Sequence, residues 1–100
     1  MEINEATQVL RQLGERLRAA RLERNDTMAV FAERLGVAPG TVRAMERGAP
    51  TVQIGIWLNA FWLLNQLDRV AQLLEPRESV LDRLRAEDKG RRQRASRRSR

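Results

Sequence analysis

The sequence predicts an all-α fold of five or six helices, followed by a disordered basic C-terminal tail. Apolar residues recur at intervals of three and four along most of the chain, as in amphipathic helices, and no segment has the alternating pattern of a strand. Ala32, Gly36 and Val42 have the spacing at which two short helices cross on either side of a turn. Such a crossing needs a small residue, a left-handed residue and a β-branched core residue in that order.

The first helix is predicted from four apolar residues at intervals of three and four: Leu10, Leu13, Leu17 and Ala20. This helix is expected to run from Thr7 to Arg24, and Asn25 ends it. Residues 1–6 are then expected to form a flexible N-terminus.

The second and third helices are predicted on either side of the glycine turn. Thr27 can cap the second helix, Met28 to Leu35, and Gly36 supplies the positive φ that closes it. Pro39 fits the first turn of a third helix that ends at Arg47, before Gly48. The pattern predicts a helix-turn-helix, and the alternative is an antiparallel helix pair that merely contains a glycine turn.

The two faces of this helix pair differ in character. Four apolar side chains are expected to face the core: Phe31, Leu35, Val37 and Met45. Four charged side chains are expected to face solvent or a ligand: Glu33, Arg34, Arg43 and Arg47.

Three further helices are predicted in the C-terminal half. The fourth covers Gln53 to Asn65, and the fifth runs from Leu67 to Leu74 and ends before Pro76. Ser79 and Asp82 form a capping-box pattern for a short last helix through Glu87. The expected division of the chain is a domain over residues 7–75, a short helix within 76–88 and the tail over 89–100.

The composition argues against several classes of protein. One hundred residues with 42% hydrophobic content can build one modest core. The chain has no cysteine and no histidine, and its acidic residues are scattered, so we expect no metal, no cofactor and no enzyme activity. The apolar stretch from Ile54 to Leu64 is too short to span a bilayer, and the N-terminus has no signal-peptide pattern, so we expect a cytoplasmic protein.

Positive charge is concentrated in the tail. Residues 89–100 hold seven basic side chains and no acidic one, so the rest of the chain has a net charge of −1 although the whole chain has +6. Within residues 10–47 there are eight arginines and five acids, so the helix-turn-helix side is positive. The tail has three interpretations: an arm that binds DNA, a docking segment for a protein partner, or a solvated tail without a role.

The helix-turn-helix and its flanks resemble a known family. The run TMAVFAERLGVAPGTVRAMERG at residues 27–48 resembles the lambda-repressor-like, or XRE-type, helix-turn-helix. The run LGERLRAARLERN at 13–25 is similar to the first helix of that family, and ERGAPTVQIGIWLNAF at 46–61 to its loop and fourth helix. The resemblance covers about residues 10–74. The run VQIG, followed by LDRVAQLL and a basic tail, is similar to HipB-like antitoxins and regulators, which are often paired with HipA-type kinase toxins.

The resemblance implies a structural ion pair. In that family an arginine of the first helix pairs with the glutamate near the end of the recognition helix, and these positions are Arg21 and Glu46. The pair would orient the recognition helix more than it would stabilise the domain, because desolvating both ions offsets much of their attraction. The alternative is two independent surface charges.

The resemblance also implies DNA contacts, and the recognition helix departs from the family at several of them. The usual base-reading positions correspond to Pro39, Gly40 and Ala44, whose side chains cannot hydrogen-bond a base edge. A capping serine is replaced by Ala38, and a phosphate-binding glutamine by Met28.

Arg43 is therefore the expected base-reading residue, bidentate to a guanine, and the alternative is that it contacts only phosphate. Arg47, at the helix end, is expected to contact phosphate. The expected DNA-binding residues lie at the start of the second helix, on the recognition helix and in the tail: Thr27, Met28, Pro39, Gly40, Thr41, Arg43, Ala44, Arg47, Arg91, Arg92 and Arg94.

The fourth helix is apolar nearly all round. Trp57 and Phe61 share a face with Ile54 and are expected to fill the core. The expected dimer contacts lie elsewhere on this helix: Ile56, Trp62 and Leu63. The alternative for these three is burial beneath the last two helices.

The predicted function is sequence-specific DNA binding by a transcriptional regulator, a repressor that binds an inverted-repeat operator as a homodimer. The antitoxin resemblance adds a toxin, a HipA-like kinase, as a further partner. The alternative is an interaction protein that neutralises a toxin and reads DNA only weakly, which the missing polar side chains at positions 39, 40 and 44 favour.

Overall fold

The structure is a computed structural model that describes residues 4–76 and 82–91. These residues form helices and no strand, and the predicted all-α fold is confirmed. Five helices have defined ends: α1 (Glu5–Glu23), α2 (Met28–Leu35), α3 (Pro39–Glu46), α4 (Ile54–Leu63) and α5 (Leu67–Ala71). Residues 82–91 are also helical. In the part of the chain that the structure describes, no helix has both the length and the apolar character needed to cross a membrane.

The start of α1 lies two residues before the predicted one. The side chain of Asn4 caps the helix, because its Oδ1 accepts a hydrogen bond of 3.0 Å from the backbone N–H of Thr7. Glu5 and Ala6, which we expected in a flexible terminus, therefore belong to α1. At the other end Asn25 has a φ of 59°, and this left-handed residue ends the helix as expected.

The turn between α2 and α3 has the predicted chemistry. Thr27 Oγ1 accepts a hydrogen bond of 3.1 Å from Val30 N–H, which caps α2. Gly36 has a φ of 73° and donates its N–H to the carbonyls of Ala32 and Glu33. Ala38 provides no side-chain cap for α3, so that helix begins on the fixed φ of Pro39 instead.

The core lies where α3 crosses α1 and α2, and α2 also packs against α4. Its buried apolar side chains come from all four helices: Leu17, Phe31, Ala32, Val42, Met45, Trp57 and Ala60. Burying a large apolar side chain contributes about 1.5 to 3 kcal/mol, so these few residues account for much of the stability. The rings of Trp57 and Phe61 lie 5.6 Å apart, as their shared face predicts.

One predicted core residue lies outside the core. Ile54 is 74% exposed, although it was expected to share the buried face of Trp57. It is the first residue of α4, at the exposed end of the helix, and the first buried residue of α4 is Trp57, one turn later.

Two glycines allow α1 and α3 to approach at backbone distance. A Cβ added to Gly14 would lie 2.6 Å from the carbonyl oxygens of Met45 and Glu46. A Cβ added to Gly48 would lie 2.8 Å from Arg11 Cα, and Gly48 also has a φ of 75°. No larger residue fits at either position without moving one of the two backbones.

The C-terminal elements differ from the predicted ones in extent. The fourth helix is shorter than expected at both ends, and Asn65 follows it with a φ of 60°. α5 ends at Ala71, and Leu74, the predicted end, has a left-handed φ of 66°. The helix at residues 82–91 continues beyond Glu87, so residues 89–91, which we assigned to the tail, are helical. Ser79 of the expected capping box lies outside the described residues.

The Gly14 contact predicts an unfavourable Gly14→Ala substitution. Alanine favours a helix over glycine by about 1 kcal/mol, whereas overpacking against rigid backbone costs about 1 to 3 kcal/mol. We expect Gly14→Ala to lower the free energy of unfolding by up to about 2 kcal/mol in urea denaturation.

Gly40→Ala is the matched control, because a Cβ at Gly40 meets no atom within 4 Å. This variant is expected to be as stable as the unaltered chain or slightly more stable. Equal stability of the two alanine variants would contradict a close contact at Gly14.

Candidate nucleic-acid interface

The outer face of α3 is small and poor in hydrogen-bonding groups. Val42 and Met45 are completely buried and so hold the inner face against the core. Exposed or half-buried positions make up the outer face: Pro39, Gly40, Thr41, Arg43, Ala44 and Arg47, the last of which caps the helix. All the α3 residues expected to bind DNA lie on this outer surface, and only Thr41, Arg43 and Arg47 can hydrogen-bond through a side chain.

The start of α3 leaves room for another molecule to approach its backbone. Pro39 and Gly40 are exposed, and the space where a side chain at Gly40 would lie is open for at least 4 Å. Pro39 and Ala44 offer apolar surface of the kind that contacts a thymine methyl group. The first two residues of α3 can therefore recognise DNA by shape and apolar contact but not by side-chain hydrogen bonds, and Thr41 is the residue of the first turn that has a hydrogen-bonding side chain.

Arg43 and Arg47 are the two cations of this surface. Both are exposed, and within residues 4–76 and 82–91 neither guanidinium is within ion-pair distance of a carboxylate. Arg43 projects from the middle of the helix and Arg47 from its end. Both side chains are thus available to an anionic or hydrogen-bond-accepting ligand.

Arg21 and Glu46, the two residues expected to pair, form a bidentate salt bridge. Arg21 Nε and Nη2 donate to the Glu46 carboxylate at 2.7 and 3.1 Å, and the two side chains are only 8% and 6% exposed. Arg21 Nη1 also donates to the carbonyl oxygen of Asp26 at 3.0 Å. The hydrogen bonds to Glu46 raise the pKa of Arg21, so this guanidinium stays charged throughout the usual pH range.

This salt bridge connects the last turn of α1 to the last turn of α3, close to the Gly14 contact. It fixes the angle at which α3 crosses the domain. It also removes Arg21 from the positive charge available at the surface, because the charge of Glu46 compensates it at close range.

Asp26 compensates two more of the arginines counted on this side. Arg24 Nε lies 3.2 Å and Arg34 Nε 3.8 Å from its Oδ2, and Asp26 is 10% exposed. Arg24 Nη1 also donates to the Leu63 carbonyl at 3.3 Å, near the end of α4. Three of the eight arginines within residues 10–47 thus face a carboxylate inside the domain, and the positive surface is narrower than the sequence count indicates.

The other expected DNA-binding residues differ in their exposure and in the contacts that they already make. Thr27 is exposed, although its hydroxyl already caps α2, and Met28 is half-buried against the core. Arg91 is exposed, and its Nη2 lies 4.0 Å from the carboxylate of Asp88. Arg92 and Arg94 lie outside the described residues.

The three expected dimer residues do not lie on one face of α4. Trp62 is 68% exposed, whereas Ile56 and Leu63 are half-buried and pack against the core. Ile54, expected in the core, is instead exposed like Trp62. At about 100° per residue, Ile54 and Trp62 lie about 80° apart on the helix.

Two residues that shape this surface were not identified from the sequence: Gly14, at the contact of α1 with α3, and Asp26, which pairs with two arginines. An isolated glycine within a helical pattern signals close packing, and that signal was present for Gly14. For Asp26 the local sequence shows Arg24 two positions away, but it gives no sign of Arg34, which reaches the same carboxylate through the tertiary fold.

Comparison with known proteins agrees with this geometry. Residues 17–55 match a family model described as helix-turn-helix. The matched segment contains all of α2 and α3 and extends from Leu17 in α1 to the start of α4. No curated protein matches the chain.

The Arg21–Glu46 salt bridge predicts a large effect of Glu46→Gln. Removing one partner of a buried pair costs about 3 to 5 kcal/mol, because the other ion stays buried without compensation. We expect a matching loss in the free energy of unfolding or, at 37 °C, a loss of helical circular dichroism.

Arg24→Gln is the control, since this pair with Asp26 is more exposed and an exposed pair contributes about 0 to 1 kcal/mol. The double variant Arg21→Met/Glu46→Leu is expected to recover much of the stability, because apolar residues of similar volume often replace a buried pair well. A Glu46→Gln protein as stable as Arg24→Gln would contradict the structural role of the salt bridge.

Proposed function

Because residues 17–55 match a helix-turn-helix family model and contain α2 and α3, we propose that this chain is a sequence-specific repressor of transcription of the lambda-repressor-like type. The observation that carries the proposal is the outer face of α3. It combines an open helix start with two arginines, one in mid-helix and one at the helix end, that form no ion pair within the described residues. A recognition helix enters the major groove by its N-terminal part, and such a face would meet base edges first and phosphates later.

Arg43 is the proposed base-reading residue. It lies in mid-helix between the buried residues Val42 and Met45, so the position of its backbone is fixed by the core on both sides. A guanidinium held this way can donate two hydrogen bonds to the O6 and N7 of a guanine. Arg47, at the C-terminal end, is proposed to bind phosphate and set the register of α3 on the duplex.

A second copy of the chain is the proposed partner on the DNA. Trp62 and Ile54 expose large apolar surface on the outer side of α4, and no charged residue occurs between Gly48 and Leu67 to oppose contact with an identical helix. A twofold dimer would bind an inverted repeat, with half-sites about 10 bp or a multiple of it apart.

An autorepressing antitoxin is the finer form of this proposal, with a HipA-like kinase as the toxin. The alternative function is neutralisation of a toxin by a protein that reads DNA weakly. The absence of a hydrogen-bonding side chain at Pro39, Gly40 and Ala44 favours that alternative. A kinase-like toxin gene next to this one would support both forms over a stand-alone repressor.

The function is tested by selecting duplexes from a random pool and measuring the affinity of arginine variants for the selected site. Arg43→Ala is expected to cost about 1 to 3 kcal/mol on that site and to relax the preference at one base pair, because a bidentate contact is lost. Arg47→Ala is expected to weaken selected and random duplexes by the same factor.

The two variants act as controls for each other, since both remove one exposed arginine from the same helix region. Equal loss on selected and random DNA for Arg43→Ala would reduce this residue to a phosphate contact. Failure of the unaltered protein to enrich any sequence would reject sequence-specific binding and favour the toxin-neutralising function.

The dimer is tested with Trp62→Glu, which places a charge on the exposed apolar surface of α4. We expect sedimentation equilibrium at micromolar concentration to give a dimer for the unaltered chain and a monomer for this variant. Val9→Glu is the matched control, because Val9 is 52% exposed on α1 and lies outside the proposed contact. A monomer for the unaltered chain, both with and without operator DNA, would contradict the dimer.

A further inference from the structure

Arg11 lies on α1 directly against the residue that follows α3 and its cap. A Cβ built on Gly48 would be 2.8 Å from Arg11 Cα, 2.9 Å from its backbone nitrogen and 3.1 Å from its Cγ. Because Arg47 immediately precedes Gly48, the backbones of two arginines from different helices lie next to each other here. This neighbourhood exists only in the fold, since 36 positions of sequence separate the two residues.

Both guanidinium groups lack a compensating acid in the described part of the chain. Arg11 and Arg47 are exposed, and neither takes part in an ion pair there. Glu46, the acid next to Arg47 in sequence, is occupied by Arg21. Glu15 follows Arg11 one helical turn later but forms no ion pair with it. The junction of α1 and α3 therefore exposes two arginines whose backbones lie close together and whose charges have no acidic partner in the described residues.

We propose that Arg11 is a phosphate-binding residue that acts together with Arg47, so that the DNA contact extends from α3 onto α1. This inference rests on the proposed function. When the start of α3 lies in the major groove, a sugar–phosphate strand borders the groove along the helix, and residues at the helix end meet that strand. Two arginines are well suited to a phosphate, which accepts charge-assisted hydrogen bonds from both.

Arg16 provides a matched control on the same helix. It is also exposed and carries the same charge. At about 100° per residue it lies about 140° around α1 from Arg11, and so points away from the Gly48 junction. Loss of either arginine changes the net charge of the chain by one, so a difference between the two variants reports position and not total charge.

The experiment measures how the affinity for one selected duplex depends on salt, for the full chain and for Arg11→Gln, Arg16→Gln and Arg47→Gln. Each phosphate contact contributes about −0.9 to the slope of log K against log salt. Arg11→Gln and Arg47→Gln are each expected to reduce the steepness by about 0.9, and Arg16→Gln to leave it unchanged. Circular dichroism checks that each variant has the helix content of the unaltered protein.

Each outcome supports or overturns the inference. Suppose that the salt dependence of Arg11→Gln is as steep as that of the unaltered protein, while that of Arg47→Gln is less steep. This result would overturn the role of Arg11 and leave the proposed function intact. Equal reductions for Arg11→Gln and Arg16→Gln would also overturn it, because net charge alone would then explain the loss. If the unaltered protein selects no duplex at all, the proposed function fails and this inference fails with it.

Discussion

The contact between α1 and α3 is the constraint on which the rest of this structure depends. Gly14 brings the two backbones together, Gly48 lets the chain leave α3 beside Arg11, and the Arg21–Glu46 salt bridge fixes the crossing angle. The glycines determine how closely the backbones of α1 and α3 approach, and the bidentate salt bridge restricts rotation of one helix relative to the other. A buried ion pair adds little net stability, so its contribution here is orientation.

The outer face of α3 follows from this constraint. With Val42 and Met45 completely buried, the remaining positions of the helix must face outward, and the salt bridge removes Glu46 from that face. Asp26 compensates Arg24 and Arg34 in the same way on the neighbouring surface. Positive charge without a nearby acid thus remains at the end of α3, where a DNA strand would border the helix.

The outer face of α3 has few side chains that could hydrogen-bond the base edges of DNA. The first turn of this helix offers a proline, an open glycine position, no side-chain cap and Thr41 as its hydrogen-bonding side chain, so recognition there would rely mainly on shape, backbone approach and apolar contact. Under the proposed function, hydrogen bonds to base edges would come mainly from Arg43. A surface of this kind is expected to discriminate at few base pairs, and a second copy on an inverted repeat would multiply that limited discrimination.

The sequence alone determined the helix-turn-helix, because its signals are local: the Thr27 cap, the left-handed Gly36 and the spacing of Ala32 and Val42 act within a few residues. The resemblance of the chain to a known family supplied the Arg21–Glu46 partners. Only the tertiary structure decided that Ile54 lies outside the core, that Gly14 contacts a carbonyl and that Arg24 reaches Leu63. A helical period gives the order of residues around an axis, but the neighbouring helices decide which side is buried and which charges meet an acid.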